Sequence, residues 1–176
     1  ILQYRHKGFF SRECFEEASR IAELCAAHKV VFVVDDRADI ARLLAAACHV
    51  GQDDLPSAEA RRILGPDLAL GFSTHNRSQL LAGNTEPVDY LALGPVFATG
   101  SKENPDPVLG LDLFGKLASL AAFPLVAIGG ITLETARPVI DAGAASVAVI
   151  SALLPDPGEP AAGIARRVQQ WLEVLG

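Results

Sequence analysis

Seven short β-favouring runs alternate with longer segments whose apolar residues recur at three and four, one unit following another at about 20 to 35 residues. Few folds accept such a chain. With a helix between each strand and the next, successive strands run parallel. The spacing predicts strands over 1–5, 30–34, 48–50, 68–72, 89–93, 125–128 and 146–150, and helices over 11–28, 40–47, 58–64, 76–82, 111–121, 133–142 and 160–175. The strand runs are apolar throughout, as a sheet covered by helices on its faces requires. No composition break or low-complexity stretch interrupts the series, so residues 1–176 read as a single domain.

An open doubly wound sheet and a closed barrel both fit this alternation, and the polar residues choose between them. Nearly every strand run is followed by a reactive or anion-seeking residue: Gln3, Arg5 and Lys7; Asp35 and Asp36; Gln52 and Asp54; Ser73 and His75; Thr99, Ser101 and Lys102; Gly129 and Gly130; Ser151. A barrel gathers the C-terminal ends of all its strands at one mouth, whereas an open sheet uses only those beside its switch point. The reading is therefore an α/β (β/α)8 TIM barrel. Seven units are present where closure needs eight, and the sequence contains no Met. The first βα unit is expected to lie before Ile1.

Fifteen Lys and Arg against 21 Asp and Glu leave a net charge of −6. No broad cationic surface is offered to nucleic acid or to an anionic membrane, so any bound anion must be held locally. Half the residues are apolar, which excludes a disordered chain. Cys14, Cys25 and Cys48 are too widely spaced for a structural zinc site and read as buried free thiols in a reducing compartment. With no apolar run of about 18 residues and no signal peptide pattern, the expected location is the cytoplasm. A homo-oligomer is compatible with all of this.

Several stretches carry chemistry. Gln3, Arg5 and Lys7 alternate with Tyr4 and His6, so the first three share one strand face. A Gln and two cations facing a barrel interior call for an anionic ligand. Asp35-Asp36 and Asp53-Asp54 follow two successive strands and suit either Mg2+ or helix N-caps. Gly129-Gly130, between a strand and a helix, suits a phosphate at the helix N-terminus or simply a tight turn. The long loop Gly94–Gly110 holds Thr99, Ser101 and Lys102, a second phosphate site or plain surface. His75 is either a general acid or base or a first-turn helix residue.

Read together, Gln3-Tyr4-Arg5-His6-Lys7, Asp36-Arg37, the run from His49 to Pro56, Ser73-Thr74-His75-Asn76, the run from Gly94 to Lys102, and Ala127-Ile128-Gly129-Gly130-Ile131 resemble thiamine phosphate synthase. The resemblance spans the chain in order. It implies a (β/α) barrel that joins 4-amino-2-methyl-5-pyrimidinylmethyl diphosphate to a thiazole phosphate with Mg2+ and releases diphosphate. It further implies that Gln3, Arg5 and Lys7, in a stretch that includes Tyr4 and His6, grip the pyrimidine diphosphate. Asp36 and Asp54 would hold the metal, Ser73 and Lys102 would contact the diphosphate, and Arg5, Lys7 and Lys102 would neutralise it as it leaves. Thr99, Gly100, Ser101, Gly130, Ile150 and Ser151 would receive the thiazole phosphate.

Two departures stand out. Asp35 occupies a position where the family usually has Asn, placing extra negative charge at the diphosphate; either repulsion from Asp36 protonates it or diphosphate affinity falls. The segment Ala46-Ala47-Cys48-His49 is one residue shorter than its usual counterpart, which predicts a shifted third strand. A thiazole tautomerase using His75 and a non-catalytic phosphate binder are the competing functions, and Gln52 to Asp54 argue against the tautomerase.

Overall fold

The computed structural model describes residues 1–100, 106–154 and 159–176. Seven strands and seven helices alternate among them: β1 (Leu2–Tyr4), α1 (Arg12–Ala27), β2 (Phe32–Asp35), α2 (Ala38–Leu43), β3 (Ala47–Val50), α3 (Ser57–Leu64), β4 (Leu70–Thr74), α4 (Arg77–Gly83), β5 (Tyr90–Leu93), α5 (Gly110–Ala118), β6 (Leu125–Ile128), α6 (Leu133–Asp141), β7 (Ser146–Ala148) and α7 (Ala161–Leu175). The strands follow chain order in one sheet. The ladders β1–β2, β2–β3, β3–β4, β5–β6 and β6–β7 are parallel. Among the described residues, no helix is long and apolar enough to cross a membrane.

By its internal contacts the chain divides into two compact units. The first comprises Ile1–Ser73 and Thr85–Tyr90, the second Thr74–Asn84 and Leu91–Gly176. In the first unit, Val34, Cys48, Val50 and Leu70 on one sheet face are fully buried, and α1, α2 and α3 bury Ala18, Ala41, Ala60 and Leu64. Each large apolar side chain removed from water there contributes about 1.5–3 kcal/mol. The second unit buries Leu80, Leu91, Leu93, Phe114, Ala127 and Val139. Its one fully buried polar side chain among the described residues, Thr74, is satisfied by donating to the Ala92 carbonyl at 2.8 Å.

Local chemistry explains most element ends. Ser11 caps α1 by accepting from the Cys14 N–H at 3.3 Å, as its residue type predicts. The helix predicted over 40–47 is corrected: α2 stops at Leu43, and Ala46 and Ala47 belong to the entry of β3. Ala45 takes a positive φ of 50°, and the Ala46 N–H turns back to the Ala41 carbonyl at 2.9 Å, closing the helix. The alanine run favours helix intrinsically, but burial of Ala46, Ala47 and Cys48 in the sheet overrides that preference. β3 pairs in continuous register with both neighbours, Asp35 opposite His49 and His49 opposite Gly71. The last strand ends at Ala148, leaving Ile150 and Ser151 in the turn beyond it. Cys25 and Cys48 are buried free thiols as expected, while Cys14 is half-exposed at the first turn of α1.

The pleat does the positioning. Residues paired across parallel strands point to the same side, so the registers Gln3↔Val33, Asp35↔His49 and His49↔Gly71 align Gln3, Asp35, His49 and, two residues beyond Gly71, Ser73 on one face of the first unit.

Candidate active site

β1 delivers Gln3 and, just past its end, Arg5 and Lys7 to two carboxylates at the end of β2. Gln3 donates from Nε2 to Asp35 Oδ1 at 2.7 Å. Arg5 Nε lies 3.5 Å and Lys7 Nζ 3.0 Å from Asp35 Oδ2, and Lys7 Nζ also donates to Asp36 Oδ2 at 2.5 Å. Asp35 is 8 % exposed, and these three side chains face its carboxylate. The negative charge that the sequence placed here is thus met by two cations and an amide. Burial opposes the charge on Lys7, but the carboxylates of Asp36 and Asp35 prevail and raise it above its ordinary value.

Asp36 adopts a left-handed backbone, φ 64°, and its N–H reaches the His49 carbonyl at 2.8 Å, which ties the end of β2 to β3. After β3, Asp54 Oδ2 accepts from the Gly51 N–H at 2.7 Å, and Gln52 Nε2 donates to the Ser73 carbonyl at 2.6 Å. Neither Asp36 nor Asp54 serves as a side-chain helix cap: α2 and α3 begin without one. With Lys7 and Gly51 each engaging one oxygen, both carboxylates retain a second oxygen. Among the described residues no three His, Cys, Asp or Glu groups assemble into a metal cage. Two carboxylates fit Mg2+, which keeps water and phosphate oxygens in most of its shell.

The other two residues of the β1 stretch turn away. The Tyr4 hydroxyl donates to Glu17 of α1 at 2.7 Å, and burial together with Glu17 raises the Tyr4 hydroxyl above its usual range. His6 Nε2 lies 3.2 Å from the Phe9 carbonyl, and both rings meet Phe10 edge-on. In this structure Tyr4 and His6 contact Glu17, Phe9 and Phe10 and neither reaches Asp35; the pleat that aims Gln3 at Asp35 aims Tyr4 at α1.

In the second unit, His75 precedes the Asn76 cap of α4 and places Nδ1 at 2.7 Å from the Gly94 carbonyl, so Nδ1 carries the proton. Gly129 and Gly130 both have positive φ, 97° and 63°. A Cβ on Gly130 would collide with the Ala98 carbonyl, and the Phe97 N–H donates to the Gly129 carbonyl at 3.0 Å. The pair of glycines thus admits the chain's own 95–98 segment. Thr99 is half-exposed and Gly100, Ile150 and Ser151 are exposed. Ser101 and Lys102 lie outside the described residues.

The family model for thiamine monophosphate synthase matches residues 1–153. The chain belongs to the thiamine-phosphate synthase family. It is 50% identical over 178 aligned residues to thiamine-phosphate synthase of Koribacter versatilis, covering 99% of this chain and 80% of that protein. It is 43% identical to the Chlorobium phaeovibrioides thiamine-phosphate synthase, with 98% and 84% covered. The solved thiamine phosphate pyrophosphorylase of Pyrococcus furiosus superposes with a TM-score of 0.83 at 32% identity, covering 99% of this chain and 83% of that one.

Two residues of this thiamine-phosphate synthase family member escaped the sequence reading as functional groups. His49, 8 % exposed, places Nε2 at 2.8 Å from Ser73 Oγ and Nδ1 at 2.9 Å from the Tyr90 hydroxyl. The available signal was His49 itself, a polar residue inside an apolar strand run. Burial pushes the His49 imidazole down to about 4, against a weaker opposing pull from Asp54. A folded value below the unfolded 6.5 means that the unfolded chain protonates first as pH falls. The His49 contribution to stability is therefore constant above about pH 6.5 and declines by about 1.4 kcal/mol per unit down to about pH 4. Urea unfolding in metal-free buffer should show a loss of about 2 kcal/mol between pH 7 and pH 5 that His49→Gln lacks. An equal loss in that variant would assign the pH dependence elsewhere.

Proposed function

We propose that this chain catalyses the family reaction, joining 4-amino-2-methyl-5-pyrimidinylmethyl diphosphate to a thiazole phosphate to give thiamine phosphate and diphosphate. The observation that carries the reading is the convergence of Gln3, Arg5 and Lys7 on Asp35 and Asp36. Two cations and an amide held together at one strand end suit a polyanion, and two carboxylates beside them suit its counter-cation.

In this reading the bond between the methylene carbon and the diphosphate oxygen breaks with its electron pair going to oxygen, and the thiazole nitrogen forms the new carbon–nitrogen bond. The aminopyrimidine ring stabilises the methylene cation, so no protein nucleophile is needed. Arg5 and Lys7, with Lys102, neutralise the departing oxygens, and Ser73 donates a hydrogen bond to them. Asp36 and Asp54 would hold Mg2+, which when bound would add positive charge for the leaving group. Gln3 orients the pyrimidine diphosphate; Thr99, Gly100, Ser101, Gly130, Ile150 and Ser151 take the thiazole phosphate. Alignment of the two rings is the remaining contribution. The finer architecture belonging to this reading is the (β/α)8 barrel, supported by the chain-order succession of parallel strands, and the location is the cytoplasm.

Mixing full-length protein with both phosphorylated precursors and Mg2+, then resolving products by chromatography, should yield thiamine phosphate and diphosphate in equal amounts. A chelator should abolish the product. Turnover that persists in chelator would remove the metal role, and no condensation product at all would end the synthase reading.

A further inference from the structure

The imidazole of His49 stands between two hydroxyls, Tyr90 on its Nδ1 side at 2.9 Å and Ser73 on its Nε2 side at 2.8 Å. The His49 and Tyr90 ring centroids are 5.5 Å apart. Room for the pair comes from Gly71, directly opposite His49 in the β3–β4 ladder. A Cβ there would collide with the Tyr90 phenol and lie 2.5 Å from His49 Nδ1. Gln52 holds the Ser73 carbonyl at 2.6 Å, so the backbone of Ser73 is also fixed.

A neutral imidazole donates through one nitrogen and accepts through the other, which leaves two directions for the chain. In one, the Tyr90 O–H donates to Nδ1, the Nε2–H donates to Ser73 Oγ, and the Ser73 proton points outward. In the other, Ser73 donates to Nε2, Nδ1–H donates to the Tyr90 oxygen, and the Tyr90 proton needs a further acceptor. Among the described residues, none besides His49 is bonded to the Tyr90 hydroxyl. Tyr90 and Ser73 are both half-buried as residues, but burial around the Tyr90 hydroxyl is deep enough to raise it above its usual range, so an unmet donor costs more there and the first direction prevails. We infer that His49 is a positioning residue: relayed from Tyr90, it commits the Ser73 hydroxyl to act as a donor, aimed at an oxyanion of the bound diphosphate.

This rests on the reading of Ser73 as a diphosphate contact, and the chemistry follows from it. A serine free to rotate donates to an anion only part of the time. One whose oxygen already accepts from Nε2–H presents its proton outward at all times, which is preorganisation of a donor where charge develops.

Two measurements on the full chain decide it. Long-range proton–nitrogen NMR of the free protein should show His49 as the Nε2–H tautomer; the Nδ1–H tautomer would overturn the inference whatever the reaction. Calorimetry with inorganic diphosphate and Mg2+ then runs a cycle over Tyr90→Phe, Ser73→Ala and the double variant. Tyr90→Phe should weaken binding about fivefold and Ser73→Ala about tenfold, with the double variant no weaker than Ser73→Ala. Fully additive losses would overturn the relay. His49→Gln, which keeps an N–H near the Nε2 position, should bind more tightly than His49→Leu at matched thermal stability; equal losses would also count against it. In the precursor assay, Tyr90→Phe should raise KM for the pyrimidine diphosphate with a similar coupling to Ser73. Coupled diphosphate binding without condensation would refute the synthase reading and leave the relay standing.

Discussion

Asp54→Ala should lower kcat/KM by at least about a hundredfold while the protein stays folded. Two interactions are lost together. One is the carboxylate assigned to Mg2+; the other is the acceptor for the Gly51 N–H at 2.7 Å, which stabilises the turn after β3. The second contributes only about 1 kcal/mol, since the turn is half-exposed and water replaces the lost acceptor. Asp54→Asn separates the two, because the amide oxygen still accepts from Gly51 but the negative charge is gone. Steady-state kinetics across a Mg2+ titration should place Asp54→Asn close to Asp54→Ala in turnover and close to the native chain in urea midpoint. Native turnover in Asp54→Asn would show that Asp54 serves the turn alone.

Lys7→Ala should be as damaging, by about 10²–10³ in kcat/KM, and its reason lies in the free protein as much as in the complex. Among the described residues, Lys7 Nζ is the one cation that touches both Asp35, at 3.0 Å, and Asp36, at 2.5 Å. Removing it leaves Arg5 Nε, 3.5 Å away, as the remaining cation on a nearly buried Asp35 among the described residues, beside a second carboxylate. The diphosphate loses a positive contact and meets two less-screened negative charges. Stability should fall by about 1–2 kcal/mol, a value kept modest by the 45 % exposure of Lys7. Asp35→Asn in the Lys7→Ala background should recover most of that stability and little of the turnover. Recovery of turnover alone would make Lys7 a counter-charge for Asp35 and nothing more, and unchanged kinetics in Lys7→Ala would remove it from the reaction.

The two proposals on Asp54 and Lys7 began as sequence patterns, and the structure treated those patterns unequally. Alternation was sufficient to aim Gln3 one way and Tyr4 the other, because a strand's period of two is a property of its backbone, whereas Arg5 and Lys7 reach Asp35 from beyond the end of β1. Residue type was sufficient for the Ser11 cap. It was insufficient for Asp36 and Asp54: a carboxylate after a strand caps a helix or holds a cation with equal ease, and only the unassisted starts of α2 and α3 separate the two.

The order of elements, their parallel direction, the face each functional strand residue occupies and the family to which the chain belongs were all determined by the sequence, through periodicities and motifs that act within one strand or helix. The tertiary structure decided the partners. It set Asp35 against Arg5 and Lys7, some 30 residues away, filled the space over Gly130 with the loop at Ala98, and placed His49 between Tyr90 and Ser73 in the clearing left by Gly71. Those pairings depend on lateral register between strands, which is fixed by packing over the whole sheet, and no local run of residues encodes it.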